Sequence, residues 1–324
     1  MVHLKTDMSI QRENGQRLKP LQLVRQLLEM IRFSHTVFAL PFALLATVMA
    51  FVAPATGAIE FRWWWIVGIL VAMVGARSAA MAFNRLVDRR IDAENPRTAK
   101  RHLPAGILSV SMVAGFTLLS IVLFLGGTLL FWPNWLPAAV ALPVLAVLLG
   151  YSYAKRFTAL AHVWLGFALG LAPVCVWLAV RGPEVMRDPY DIFPAVLLGM
   201  AVMCWVSGFD IIYACQDAEF DRRSGLRSIP AWLGVAKALG TAAAFHLMTI
   251  VLFAAVPFSH WIGGPQLGLG AIWFVGLLAI SGLLVWEHLL VSPNDLSRVN
   301  AAFFNANAVI SLGLLLAGTV DLIM

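Results

Sequence analysis

Long uninterrupted apolar segments recur along this chain, and they restrict its fold more than any other feature. Each is close to the roughly 20 residues that a helix needs to cross the hydrocarbon core of a bilayer. Only helices and closed barrels satisfy their backbone hydrogen bonds in lipid, and these segments are too long for barrel strands. The sequence therefore predicts an all-α polytopic membrane protein with nine transmembrane helices in one bundle. The predicted spans are 34–54, 63–84, 108–131, 134–152, 160–180, 191–213, 233–257, 266–290 and 299–323.

Composition supports a membrane-embedded chain and gives no sign of a nucleic-acid partner. Hydrophobic residues make up 60% of the 324 residues and charged residues only 12%, against about 25% charged in soluble domains. Residues 1–30 are polar and basic and contain no signal-peptide core. We therefore expect a cytoplasmic tail over residues 1–30, followed by a membrane domain over residues 31–324. Within the tail, residues 21–31 have the pattern of a short amphipathic helix on the membrane surface.

Basic residues are distributed unevenly between the predicted loops. Most of the 23 lysines and arginines fall in the tail and in the loops after the even-numbered spans, whereas only Arg62, Arg181 and Arg187 fall in the others. Positively charged loops remain in the cytoplasm. We therefore expect a multi-pass protein of the inner membrane with a cytoplasmic N-terminus and an external C-terminus, which agrees with an odd number of spans.

An acidic motif follows the second span. Asn84, Asp88 and Asp92 are spaced four residues apart, which places them on one face of a helix. Oxygen ligands in such a row suit a hard cation, and Mg²⁺ is the usual one where phosphate is also bound. Arginines crowd the same stretch, among them Arg97 and Arg101. The pattern indicates a site for a metal-bound phosphate substrate, and the alternative is a solvated charged loop between two helices.

A second acidic motif follows the sixth span and matches the first. Asp210, Asp217 and Asp221 have the spacing of one helical face, and basic residues follow them. Asp88 and Asp217 are separated along the chain by the same number of residues as Asp92 and Asp221. In a chain with only 17 acidic residues, this repetition indicates two related four-helix halves and one additional helix. Membrane proteins with internal repeats commonly place their site between the repeats.

The two motifs together resemble the paired Asp-rich motifs of the UbiA superfamily of intramembrane aromatic prenyltransferases. The resemblance extends from about Arg32 to the last span. It implies that the four motif aspartates are catalytic and that Asp210 belongs to the substrate site. It also implies Mg²⁺ as a cofactor, held by Asn84, Asp88, Asp92, Asp217 and Asp221.

The resemblance assigns further roles outside the acidic motifs. Tyr151 and Lys155 match the family's Tyr-x-x-x-Lys element. Lys155 is expected to donate to diphosphate as a point charge, and Tyr151 to donate to the same group or to face a carbocation. The alternatives are an interfacial aromatic anchor and a positive-inside lysine. Arg97 and Arg101 are expected to steer or clamp the diphosphate.

Arg77 matches a family arginine assigned to the acid group of the acceptor. It precedes Asn84 by two helical turns, about 10 Å deeper in the predicted cavity. A guanidinium can hold a carboxylate by a bidentate pair. The alternative is a structural contact with Asp210 or with a helix carbonyl.

The implied activity is transfer of a polyprenyl group from an allylic diphosphate to the ring of an aromatic acid in quinone biosynthesis. 4-Hydroxybenzoate is the favoured acceptor, and a dihydroxynaphthoate of menaquinone synthesis stays open. A different class of function, an ion transporter that binds its ion at the acidic pairs, predicts acidic residues deep within the spans. The motif aspartates instead cluster at the predicted cytoplasmic ends beside many arginines.

Overall fold

The protein is a bundle of helices, seen in a computed structural model that describes residues 20–31, 39–56, 59–299 and 306–324. These residues contain no β-strand. The helices, in chain order, are α1 (Pro20–Met30), α2 (Leu40–Val52), α3 (Trp63–Glu94), α4 (Val110–Leu129), α5 (Leu136–Phe157), α6 (Ala161–Arg187), α7 (Phe193–Ala214), α8 (Ala218–Arg223), α9 (Ile229–Leu233), α10 (Val235–Ala255), α11 (Ala271–Leu289) and α12 (Asn307–Ile323).

The number of spans is confirmed only in part. Within the described residues, 7 helical segments are long and apolar enough to cross a bilayer. α2 and α12 are apolar but have only 13 and 17 residues, and they lie where the first and ninth spans were predicted. Parts of both predicted spans fall in residues 32–38 and 300–305, outside the described chain. The all-α polytopic fold is therefore confirmed, and the count of nine spans stays a prediction.

α7 lies at the centre of the bundle, between α6 and α10. Its approach to α6 depends on glycine, because a Cβ on Gly170 would lie 2.4 Å from the carbonyl oxygen of Gly199. α3 and α4 are equally close, and a Cβ on Gly75 would lie 2.6 Å from the Phe124 nitrogen. Small residues at such crossings let transmembrane helices pack backbone to backbone. The bundle thus holds α6 close against α7, and α3 close against α4.

The first acidic motif lies on a helix, as its spacing predicts, but that helix is longer than the predicted span, and the second motif differs from its predicted local structure. The second span was expected to end near residue 84, but α3 continues to Glu94, so the first motif lies within one unbroken helix. Pro96 favours an extended conformation for Asn95, and the helix ends there. The second motif is not one regular helix as predicted. α7 ends at Ala214, a 3₁₀ turn spans Cys215–Asp217, and α8 follows.

The opposite end of the bundle is held by a buried arginine that lies outside the predicted spans. The Arg181 side chain is 0% exposed and pairs with Asp191, with nitrogen–oxygen distances of 2.9 and 2.6 Å. Its other N–H groups donate to the carbonyls of Ala50, Ala53 and Pro54. These carbonyls lie at the C-terminal end of α2, where helical partners run out. Arg181 therefore joins α2, α6 and the turn before α7.

The kink of α6 at Arg181 has an identifiable cause. Pro183 lies two residues further along the helix, and a proline in a helix interior leaves a preceding carbonyl without its donor. The Asn134 amide supplies that donor, at 2.7 Å from the Leu178 oxygen and 2.9 Å from the Ala179 oxygen. The loop before α5 thus replaces the hydrogen bond that is lost at the distorted turn of α6.

We expect Arg181→Ala to destabilise the protein by about 3–5 kcal/mol, because it leaves the Asp191 carboxylate buried without its positively charged partner. A fall in the thermal unfolding midpoint in detergent measures this. Arg187→Ala is the control, since Arg187 is 63% exposed in its pair with Glu184 and exposed pairs contribute little. Equal effects of the two substitutions would show that the buried network is not what stabilises this end.

Candidate functional site

A polar cavity of about 260 Å³ lies between α3, α5, α6 and α7 at the end of the bundle that carries the acidic motifs. Its walls include every site residue predicted from the sequence, contributed by both predicted halves. These residues are Arg77, Asn84, Asp88, Asp92, Arg97, Arg101, Tyr151, Lys155, Asp210, Asp217 and Asp221. The structure thus brings the predicted residues together, while their individual roles stay predictions.

The two aspartates of the first motif are each paired with a basic side chain. Asp88 accepts from Arg156 at 2.9 Å and from the Asn84 amide at 2.8 Å. Asp92 accepts from Arg101 at 2.6 Å through Oδ1. Its Oδ2 is buried without a hydrogen-bond partner among the described residues, and it forms a longer ion pair with Arg85 Nη1 at 3.9 Å. An unsatisfied buried carboxylate oxygen is costly, so this atom is suited to a cation.

The aspartates of the second motif are paired with residues of the other half. Asp217 accepts from the Arg97 side chain, with a nitrogen–oxygen distance of 2.8 Å at Nε, and from the Asn95 amide at 3.1 Å. Asp221 lies 3.3 Å from the Lys155 ammonium group. Arg97 therefore joins the segment after α3 to the 3₁₀ turn after α7, and Lys155 joins α5 to α8.

Arg97 keeps its charge in this environment. Burial lowers the pKa of its guanidinium, but the hydrogen bonds and the negative charge of Asp217 outweigh burial and raise the pKa above its ordinary value. Its Nη1 also donates to the Tyr213 hydroxyl at 2.9 Å. A permanently charged bidentate donor therefore stands at the rim of the cavity.

The acidic residues fit Mg²⁺ when the cation is shared with a phosphate ligand. Among the described residues, no three acidic, histidine or cysteine side chains converge in a way that could hold a metal ion alone. Mg²⁺, however, is commonly held by one or two carboxylates together with substrate phosphates and water. Asp88 and Asp92 on α3 face Asp217 and Asp221 across one cavity. The donor set suits a metal–diphosphate complex rather than a protein-only metal cage.

Arg77 and Asp210 lie deeper in the cavity, and they do not pair with each other. Asp210 Oδ2 is 2.7 Å from Nδ1 of His162, a residue whose side chain is 1% exposed. Arg77 Nε is buried without a hydrogen-bond partner in the described part of the chain. The Arg77–Asp210 ion pair considered from the sequence is therefore not formed. An arginine with an unused donor at this depth is suited to an anionic ligand.

Three contacting residues were missed by the sequence analysis. Arg156 follows Lys155 directly, and its position in the sequence does not distinguish it from a basic residue that only sets the membrane orientation. Asn95 reaches Asp217 only because the chain turns at Pro96. His162 begins an apolar span, and nothing in its neighbourhood signals a pair with Asp210. Each of these contacts joins residues distant in the chain, which spacing within one segment does not reveal.

An apolar cavity of about 170 Å³ adjoins the polar one and is lined by α3, α4, α5 and α6. The two cavities share six wall residues, which therefore mark their junction: Arg77, Met81, Asn84, Tyr151, Leu165 and Leu169. Charged groups and an apolar chamber thus meet at Arg77 and Tyr151. Such an arrangement suits an amphipathic ligand with an anionic head and a hydrocarbon tail.

Comparison with known proteins gives a consistent assignment over most of the chain. Residues 39–309 match the UbiA prenyltransferase family. The 4-hydroxybenzoate octaprenyltransferase of Nitrosomonas europaea is 30% identical over 259 residues, covering 78% of this chain and 81% of that protein. The enzyme of the same name from Cronobacter sakazakii is 28% identical, covering 76% of this chain and 79% of that protein.

Solved structures share the fold. The apo structure of a UbiA homolog from Aeropyrum pernix has a TM-score of 0.76 and 32% identity, covering 90% of this chain and 98% of the other. A UbiA homolog from Archaeoglobus fulgidus, bound to DMAPP and Mg²⁺, has a TM-score of 0.60 and 19% identity, covering 92% and 99%. At that identity the second likeness concerns the fold alone.

We expect the Arg97–Asp217 pair to couple the two halves energetically, because it is largely desolvated, with side chains 31% and 9% exposed. A double-mutant cycle of Arg97→Ala and Asp217→Asn, followed by denaturant titration in detergent, should give a coupling of about 0.5–3 kcal/mol. The control cycle uses Arg223 and Glu219, whose side chains are 78% and 72% exposed. A coupling no larger than that of the control would contradict the expectation.

Proposed function

The chain belongs to the UbiA prenyltransferase family, and we propose that it transfers a prenyl group from an allylic diphosphate to the ring of 4-hydroxybenzoate. The observation that carries the proposal is the junction of the two cavities, where paired acidic and basic side chains adjoin an apolar chamber. An allylic diphosphate has an anionic head and a hydrocarbon tail, and it fits both. The relatives named 4-hydroxybenzoate octaprenyltransferase support the choice of acceptor.

The head group is proposed to bind at the acidic motifs. Mg²⁺, held by Asn84, Asp88, Asp92, Asp217 and Asp221, would offset the charge that develops on the leaving diphosphate. The basic partners of these aspartates lie on the same cavity wall and can donate to diphosphate oxygens. Lys155 does so as a point charge, and Arg97 and Arg101 do so through their planar guanidinium groups.

The proposed reaction replaces one bond to the allylic carbon by another. The bond between that carbon and the diphosphate oxygen breaks, and its electron pair leaves with the diphosphate. The electron-rich ring of the acceptor then forms the new carbon–carbon bond and loses a ring proton to a carboxylate or to the diphosphate. Tyr151, at the junction of the cavities, faces the place where the cation forms and helps to exclude water from it.

The acceptor is proposed to bind between Arg77 and Asp210. Both residues line the polar cavity, and Arg77 also lines the junction. The Arg77 guanidinium would hold the acceptor carboxylate by a bidentate pair. Asp210 has one carboxylate oxygen fixed by His162, so the other is available to the acceptor. The acceptor is thereby oriented with its ring toward the allylic carbon.

We place the protein in the inner membrane with its N-terminus and its site on the cytoplasmic side. The support is the concentration of basic residues near the acidic motifs, because positively charged segments stay in the cytoplasm. On this side the site is accessible to water-soluble acids, while the apolar cavity stays within the depth of the bilayer.

The acceptor can be identified directly. Membranes containing the protein are incubated with labelled geranyl or farnesyl diphosphate, Mg²⁺ and a panel of aromatic acids. We expect a labelled lipid product with 4-hydroxybenzoate and none after chelation of the metal. Product with a dihydroxynaphthoate alone would assign the acceptor to that class, and absence of product with every acid would refute the proposed function.

We expect Asp88→Asn and Asp217→Asn each to abolish turnover in a folded protein, because each removes a proposed metal ligand. Turnover at saturating Mg²⁺ and the thermal unfolding midpoint are measured together. Glu219→Gln serves as the control, since it removes an exposed acid of the same segment. Substantial turnover in either aspartate variant would refute the metal assignment.

We expect Arg77→Ala to raise the KM for the aromatic acid at least tenfold with little change in the KM for the prenyl diphosphate, because the acceptor carboxylate loses its partner. Steady-state kinetics with each substrate varied in turn measures both constants. Arg90→Ala, an exposed arginine of the same helix, is the control. The KM for an acceptor without a carboxylate should change little in this variant. An equal loss of activity with both acceptors would show that Arg77 has a structural role.

A further inference from the structure

One helix runs along both cavities without a break. Every fourth residue of α3 from position 72 to position 92 lines one cavity or the other, in the order Ala72, Ala76, Ala80, Asn84, Asp88 and Asp92. The series changes from three alanines to an amide and two carboxylates. Four residues of helix rise by about 6 Å, so Ala72 lies about 24 Å from Asp88 along the axis. Position along α3 is therefore a measure of depth below the proposed metal ligands.

The apolar cavity lies inside the bundle at the level of the alanines. The described residues that line it are buried or partly buried. At the end furthest from the acidic motifs its wall includes Ile69 and Phe131, whose exposed fractions are 3% and 2%. The Phe131 ring is fixed against α3, because a Cβ on Gly68 would lie 2.9 Å from it. The packed ring of Phe131 thus limits the depth of the apolar cavity along α3.

The two cavities differ in the helices that line them, and this difference indicates where each substrate binds. α7 contributes Val206, Phe209 and Asp210 to the polar cavity but no residue to the apolar one. The acceptor, which needs polar partners, fits the α7 side. The hydrocarbon of the donor fits between α3, α5 and α6, where the alanines leave room that a larger side chain would fill.

We propose that Ala72, Ala76 and Ala80 determine the length of the prenyl chain that the protein accepts. The inference rests on the proposed function and extends it to donor specificity. With the diphosphate held at Asp88 and Asp92, the chain descends along α3, passes each alanine in turn and ends against Phe131. Each alanine leaves room for the chain at one depth of the cavity, and enlarging it blocks only the chains that reach it.

The test replaces the alanines one at a time by leucine. Ala80→Leu, Ala76→Leu and Ala72→Leu are assayed with dimethylallyl, geranyl, farnesyl and geranylgeranyl diphosphates, and kcat/KM is compared with that of the unmodified protein. We expect losses of at least tenfold that begin at shorter donors for Ala80→Leu and only at the longest donors for Ala72→Leu. The rise in unfolding midpoint caused by each donor should show the same order.

Ala139→Leu is the matched control, because Ala139 is exposed on α5 and does not line the cavity. It should leave the donor profile unchanged. A variant that does not fold is replaced by the corresponding valine substitution. Phe131→Leu tests whether a deeper cavity accepts longer donors. We expect it to raise kcat/KM for the longest donor relative to the shortest.

Two results separate this inference from the proposed function. If the leucine variants change turnover to the same extent with every donor, or do not change it, the chain leaves the site by another route and the inference is wrong, while the proposed function stands. If the unmodified protein turns over no donor with any aromatic acid, the proposed function fails and the inference fails with it.

Discussion

A charge near hydrocarbon has to be paired, and this requirement organises the end of the bundle that carries the site. Asp217 with Arg97 and Asp221 with Lys155 join segments that are far apart in the chain. Removing one member of such a pair leaves the other desolvated and uncompensated. The pairs that line the cavity therefore also hold its walls together. Folding assembles the charges, so the polar groups of the site are oriented before any ligand binds.

The sequence predicts which residues lie together because the period of a helix relates spacing directly to geometry. Asn84, Asp88 and Asp92 were expected on one helical face, and all three line the cavity. The equal separation of the two aspartate pairs predicted two opposed motifs, and the structure places them across one cavity. Spacing within a segment, however, carries no information about partners from elsewhere. The pairs of Asp210 with His162 and of Asp88 with Arg156 come from tertiary packing.

Two predictions about the backbone were wrong for the same reason. The turn that separates α7 from α8 holds Asp217 against Asn95 and Arg97, and those contacts outweigh the local tendency to continue a helix. Arg181 was predicted to mark a loop because positive charge usually lies outside the apolar spans. Its pair with Asp191 and three carbonyls makes the buried position stable instead. Whether a charged side chain is buried depends on its partners, and the length of an apolar segment gives no information about those partners.

The unused donor of Arg77 has a consequence for what the cavities exclude. The bilayer surrounding the bundle is rich in neutral hydrocarbon chains that would fill any apolar space open to them. A neutral molecule that extends across the junction leaves the guanidinium desolvated and unmatched, which is costly at this depth. An acceptor that brings its own carboxylate relieves that cost. A single arginine can thus favour an acidic acceptor over the neutral lipid around the bundle, because the lipid has no negative charge to offer.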